Sequence, residues 1–152
     1  MFESLRRLLN EAATRQTAVP ADEEHVRLAA AALLFHVIAV DGVVTEDERA
    51  MLKALLERRF GLDAAEAAAL ATAGENADNE AVDLYSFTRV LRGALEVSDR
   101  ERIIEMMWKL VYADGSVHEF EDNAVWRVAE LLGIPSQTRI RLKQSVRDHA
   151  RS

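Results

Sequence analysis

The sequence contains no cysteine, and it has only 2 prolines and 6 glycines among 152 residues. Without cysteine the chain cannot form disulfides, iron–sulfur clusters, cysteine-ligated zinc sites or a thiolate nucleophile. The scarcity of proline and glycine, beside many Ala, Leu, Glu and Arg residues, favours helix along most of the chain. No stretch shows the sustained alternation of apolar and polar residues that indicates a strand. The sequence therefore predicts an all-α protein.

An excess of basic residues is missing too, because 19 Lys and Arg stand against 26 Asp and Glu, a net charge of −7 at pH 7. This balance argues against a nucleic-acid partner, which attracts a basic surface. The longest apolar run, residues 28–40, contains His36 and is shorter than the roughly 20 residues that cross a bilayer. Residues 1–16 are amphipathic rather than continuously apolar. We therefore expect no signal peptide, no transmembrane segment and a cytoplasmic location.

One motif, D-G-x-V-x-E-x-E, occurs twice, in residues 41–48 and again in residues 114–121. An apolar segment precedes each copy, and a helical pattern that ends at a Gly-aliphatic pair follows each. A repeat of this length within one chain indicates two related halves. We expect a single domain over residues 1–152, an all-helical bundle of about eight helices built from two pseudo-symmetric halves. The stretch 1–20 is expected to contain a peripheral amphipathic helix.

Local signals place the helix boundaries. Three patterns match capping boxes and predict helix starts: Thr45 with Glu48, Asp63 with Glu66, and Ser98 with Glu101. Gly61 and Gly133 are expected to follow helix ends in the left-handed conformation. The polar segment 74–80 is expected to be the loop between the two halves.

The motif matches the second half of an EF-hand calcium loop, in which glycine is sixth and glutamate twelfth. Asp41 and Asp114 then fall on the fifth position, which is a calcium ligand. The first and third ligand positions hold residues whose side chains cannot coordinate a hard cation: Val37, Ala39, Leu110 and Tyr112. We therefore reject a complete EF-hand in both copies.

Six carboxylates remain as candidate ligands for a divalent cation such as calcium or magnesium: Asp41, Glu46, Glu48, Asp114, Glu119 and Glu121. If the two loops meet in space, these groups form one acidic cluster. The alternative is structural. Gly42 and Gly115 then adopt a positive φ between helices, and the glutamates cap the helices that follow. The sequence leaves both interpretations open.

No catalytic motif accompanies these carboxylates. The sequence has no P-loop, no G-x-G-x-x-G, no G-x-S-x-G and no H-E-x-x-H. Carboxylates at exposed helix starts are not an acid–base pair without a pocket that perturbs their pKa values. His36 is expected to be a hydrogen-bonded core residue and His118 a surface cap. We therefore expect a protein that is not an enzyme.

The segments AVDGVVTEDE, residues 39–48, and YADGSVHEFED, residues 112–122, together resemble the tellurite-resistance TerB family. The resemblance covers roughly residues 26–146. It implies an all-helical fold with internal twofold pseudo-symmetry and a non-enzymatic bacterial cytosolic protein linked to metal or oxyanion stress. It also implies protein partners, membrane-associated ones included, and is compatible with a homo-oligomer. Two functions remain: acidic loops that bind a divalent cation or a basic partner, or a purely structural, co-chaperone-like interaction module without metal.

Overall fold

The computed structural model describes residues 23–114 and 117–151, and these residues form seven α-helices and one short 3-10 turn. The helices are α1 (Glu23–Ala39), α2 (Glu46–Phe60), α3 (Ala64–Glu80), α4 (Tyr85–Ala94), α5 (Val97–Val111), α6 (Glu119–Leu131) and α7 (Ser136–Arg151), with the 3-10 turn Tyr112–Asp114 after α5. No strand occurs within these two ranges. The predicted all-α class is confirmed. The helix expected within residues 1–20 lies outside the described residues.

Helix α1 lies at the centre of the bundle. Every residue from Ala29 to Ile38 except His36 is buried. The helix contacts α2, α3, α4, α5 and α6. A helix that is apolar on nearly every side must be covered on every side, because exposed apolar surface is unfavourable in water. The other helices are consequently arranged around α1.

Helix α3 corrects one expectation from the sequence. Residues 74–80 are not a loop, because α3 continues without interruption to Glu80. Gly74 is buried and lies so close to α1 that a Cβ atom built on it would be 2.7 Å from the carbonyl carbon and from the Cβ of Ala31. The missing side chain lets the two helices approach each other, and packing between them stabilises a stretch of low helix propensity.

Polar residues of the same stretch contact side chains of other helices, whereas loop residues would face solvent. The Asp78 carboxylate lies 2.9 Å from Nδ1 of His36 on α1. The Glu75 carboxylate accepts a hydrogen bond of 3.1 Å from Arg49 on α2. Both contacts need α3 to remain helical, so they support the longer helix.

Two of the three predicted capping boxes are present, at Thr45 with Glu48 and at Asp63 with Glu66. The third is wrong. Helix α5 begins at Val97 with Glu96 as its N-cap, and the Glu96 carbonyl accepts a hydrogen bond of 3.0 Å from the Arg100 amide. Ser98 therefore lies inside the first turn, where its side chain cannot cap.

Left-handed glycines terminate the helices as predicted. Gly61 has φ of 65° after α2, and Gly133 has φ of 73° after α6. The halves also share a register, because α2 and α6 begin at the same position of each motif copy, Glu46 and Glu119. The twofold relation between the halves stays a prediction.

No helix in the described part of the chain is both long enough and apolar enough to span a bilayer.

Candidate functional site

The first acidic loop, residues 41–47, comprises most of the connection between α1 and α2 together with the first two residues of α2. Gly42 has φ of 83°, which confirms the predicted positive value and turns the chain sharply after Asp41. The Asp41 Oδ1 atom accepts a hydrogen bond of 3.0 Å from the Val43 amide. Helix C-termini disfavour negative charge by roughly 0.3–1 kcal/mol, and this backbone donor compensates Asp41.

Glu48 follows the first acidic loop and serves the scaffold. Its side chain is buried, with only 2% of the residue surface exposed. Its Oε1 atom accepts hydrogen bonds from the Thr45 amide at 2.8 Å and from the Thr45 hydroxyl at 3.1 Å. The Glu48 amide donates in return to the Thr45 hydroxyl at 3.1 Å. A buried carboxylate needs such partners, so Glu48 is occupied by the capping box.

The second motif copy repeats part of this arrangement. Glu121 is buried, and its Oε1 atom accepts a hydrogen bond of 3.3 Å from the His118 amide at the start of α6. Glu119 is exposed in the first helical turn. Gly115, Ser116 and the side chain of Asp114 lie outside the described residues. The prediction of a positive φ at Gly115 therefore also lies outside them.

A cation of the protein itself lies beside the first acidic loop. The Arg49 guanidinium donates to Glu75 and lies 5.9 Å from the centre of the Phe35 ring. The hydrogen bond to Glu75 raises the pKa of Arg49 above its ordinary value, against the opposing effect of burial, and the charges of Glu75 and Glu46 add to the rise. Glu46 is therefore balanced in part by Arg49.

The structure does not bring the candidate metal ligands together within the residues it describes. No group of three or more His, Asp or Glu residues arranged to hold a metal ion is found there. Glu48 and Glu121 are buried at helix caps, whereas Asp41, Glu46 and Glu119 are exposed. The six-carboxylate site, which needs the Asp114 side chain, stays a prediction.

The two singled-out histidines have structural surroundings. His36 is half-buried and pairs with Asp78, as expected for a hydrogen-bonded histidine in the bundle. His118 is the N-cap residue of α6, at the start of that helix as predicted.

Sequence reasoning missed a basic groove between α2 and α5, which we call the arginine groove. It is a cavity of about 180 Å³ with Leu55 and Met106 at its apolar floor. Four basic side chains and one carboxylate line its walls: Arg58, Arg59, Arg102, Lys109 and Glu105. The available signals were the Arg-Arg pair at the end of α2 and the positions of Arg102 and Lys109, which are seven residues apart on α5 and so share a face.

Two further cavities lie on the surface. One, of about 430 Å³, is lined by Tyr85, Arg89 and Arg92 of α4 and by Glu130 of α6. The other, of about 150 Å³, is lined by Arg49 and Lys53 of α2 and by Glu75 of α3, among others. Each of the three cavities thus has at least two cations and one carboxylate.

Comparison with known proteins decides the family. A family model described as Tellurite resistance protein TerB matches residues 27–144, which is most of the chain. The chain belongs to the TerB family. Comparisons with curated proteins and with solved structures give no match.

The TerB match contains both copies of the motif, the capping box at Thr45 and the whole arginine groove. The repeated glutamates at positions 48 and 121 are consequently part of the TerB scaffold in this chain, since both are buried at the start of a helix. Along α2, the domain has acidic residues in the first helical turn and basic residues in the last.

Proposed function

We propose that this TerB-family chain is a non-catalytic binding protein, whose first acidic loop docks a basic segment of a partner protein. The observation that carries the proposal is the surface of that loop. Asp41, Glu46 and Asp47 are all exposed and lie within four residues of Val43 in the sequence, and the surface of Val43 is itself 63% exposed. An exposed apolar side chain close to exposed carboxylates complements a lysine- or arginine-bearing segment that also offers an apolar contact.

The contacts within the loop favour a basic segment over a cation. Asp41 already accepts from the Val43 amide, and Glu48 is enclosed in its capping box. Arg49 places a positive charge beside Glu46, which repels a compact divalent ion more strongly than a singly charged lysine or arginine side chain. A hard cation such as calcium takes six to eight oxygen ligands, and no group of three or more His, Asp or Glu residues arranged to hold a metal ion is found in the described part of the chain.

Three cavities in the described part of the chain support the proposal of a binding protein. Their walls carry arginines and lysines with one carboxylate each, so none of these three cavities holds a pair of carboxylates that could act as acid and base together. The description of the family as tellurite resistance supports a role in oxyanion stress. We place that role in the bacterial cytoplasm, where a partner at the membrane surface is accessible.

The test measures binding of a fluorescent lysine-rich peptide with one apolar anchor to the full chain at low and high salt. The Asp41→Asn/Asp47→Asn variant removes two charges, while the amide introduced in place of the Asp41 carboxylate retains an oxygen that can accept from the Val43 amide. We expect affinity to fall at least fivefold in this variant. The matched control, Glu96→Gln/Glu130→Gln, removes two charges from sites away from the loop and should bind as the wild type does.

A titration of chelator-treated protein with calcium, magnesium, manganese and zinc separates the alternatives. We expect no change in melting temperature at millimolar concentrations of any of them. A cation-dependent increase that disappears in Asp41→Asn would assign the loop to a metal ion instead, because a ligand that binds only the folded state raises its stability. Equal peptide binding by the loop variant and the control would refute the docking proposal.

A further inference from the structure

The arginine groove has no part in the proposed docking of a basic segment. It lies at the other end of α2, since Glu46 begins this helix and Arg58 is in its last turn. At a rise of 1.5 Å per residue the two positions are about 18 Å apart along the helix. The arginine groove is basic and lies far from the acidic loop, so its ligand differs from the basic segment proposed for that loop.

Two of the groove's cations are paired and fix its walls. Arg59 at the end of α2 donates to Asp99 in the first turn of α5 at 3.1 Å, which ties the two helices together. Lys109 lies 3.4 Å from Glu105 on the same face of α5. The Arg59–Asp99 pair therefore bridges α2 and α5, and the Lys109–Glu105 pair balances the one carboxylate that lines the groove.

The other two cations, Arg58 and Arg102, have no ion pair or hydrogen bond within the described part of the chain. The dipole of α2 favours a cation in its last turn and so accounts for Arg58 in part. It does not account for Arg102, which lies in the middle of α5. Two guanidinium groups that line one cavity, on a chain of net charge −7, indicate a local preference for a negative ligand.

We infer that the arginine groove binds a phosphate group, held between the guanidinium groups of Arg58 and Arg102 with Lys109 contributing charge. Each guanidinium presents paired N–H donors that match two phosphate oxygens, and a dianionic phosphate balances two unpaired guanidinium groups better than a single carboxylate does. The cavity of about 180 Å³ is smaller than the roughly 300 Å³ at which pockets for whole small molecules begin. The site therefore accommodates the phosphate group while the remainder of the ligand stays in solvent.

The phosphate group can arrive free or on a peptide, and the experiment separates these sources. Calorimetry at low ionic strength uses three probes: inorganic phosphate, a phosphoserine peptide, and the same peptide with glutamate in place of phosphoserine. We expect the phosphoserine peptide to bind and the glutamate peptide to bind at least tenfold more weakly. Inorganic phosphate should compete with the phosphoserine peptide if the groove contacts only the phosphate group. Absence of binding by both phosphate probes overturns the inference, as does equal affinity for the glutamate peptide.

Matched variants connect the binding to the groove. Arg58→Gln/Arg102→Gln should weaken phosphate binding at least tenfold, whereas Arg127→Gln/Arg141→Gln removes the same charge from exposed positions of α6 and α7 and should change it less than twofold. Arg58→Lys/Arg102→Lys keeps the charge but loses the paired donors, so it should retain only part of the affinity. Far-ultraviolet circular dichroism checks that each variant is folded. Equal weakening in the groove variant and its control would reduce the effect to net charge and overturn the inference.

Discussion

Gly74 is the position where one methyl group should most clearly disturb the bundle. A Cβ atom there would lie 2.7 Å from the carbonyl carbon and the Cβ of Ala31, and 2.9 Å from the Ala31 carbonyl oxygen. Ala31 is fully buried on α1, and backbone atoms cannot rotate away as a flexible side chain can. The Gly74→Ala variant must therefore push α3 away from α1 or distort one of them.

The expected magnitude is a difference between two effects. Overpacking a close-packed core costs about 1–3 kcal/mol, and the upper part of this range applies when the contact is with backbone. Alanine has a better helix propensity than glycine by about 1 kcal/mol, which acts in the opposite direction. We expect Gly74→Ala to lower the free energy of unfolding by about 1–2 kcal/mol. For a chain of this size that corresponds to a melting temperature lower by about 2–8 °C.

Gly93 supplies the matched control. It also lies within a helix, α4, and no atom lies within 4 Å of a Cβ built on it. Gly93→Ala should therefore show the propensity effect alone and increase the stability by up to about 1 kcal/mol. Urea denaturation of the two variants, with the slope compared to the wild type, measures both changes. A Gly74→Ala protein as stable as the wild type would refute the close helix contact and the reason we give for it.

Three more substitutions test the loop and the core. Gly42→Ala should lower the free energy of unfolding by about 1–2 kcal/mol in urea denaturation, because Gly42 has φ of 83°. No atom lies within 4 Å of a Cβ built there, so the cost would come from the backbone alone, and a wild-type midpoint would contradict this explanation. Glu48→Ala should cost about 1–3 kcal/mol, because it leaves the Thr45 amide without its acceptor. Glu48→Gln keeps an acceptor and should cost less. Equal calorimetric melting temperatures for these two variants would argue against the capping box. Trp108→Phe should cost more than the roughly 0.5–1.5 kcal/mol of the lost hydrogen bond, since the buried indole N–H donates to the Arg139 carbonyl at 3.2 Å and the smaller ring also leaves a cavity. Thermal unfolding with an unchanged midpoint would count against this link between α5 and α7.

Most of the fold could be predicted from local signals. The central position of α1 follows from its apolar composition, and the start of α2 follows from the pair Thr45 and Glu48. These features depend on residues within one or two turns of each other, so a sequence contains them directly. The all-α class and the family follow from the same local evidence, together with the repeated motif.

The end of α3 could not be predicted because its causes lie far away in the chain. Glycine followed by polar residues is typical of a loop, and Gly74 begins such a stretch. Its actual role is to fit against Ala31, and Asp78 and Glu75 contact residues 42 and 26 positions earlier. Only the packing of α1 against α3 turns these residues from loop formers into helix stabilisers.

The same limit applies to the carboxylates and cations of the surface. Glutamate three residues after an N-cap is required by a capping box and is equally suitable as a metal ligand, so residue type cannot separate the two. Burial separates them, because Glu48 is 2% exposed and receives two hydrogen bonds from Thr45. Arg58 and Arg102, by contrast, are 44 positions apart in sequence and acquire a common role only where α2 packs against α5. The Arg-Arg pair of α2 and the spacing of Arg102 and Lys109 on α5 do not reveal that the two helix faces meet, whereas a capping box lies within one turn of a single helix.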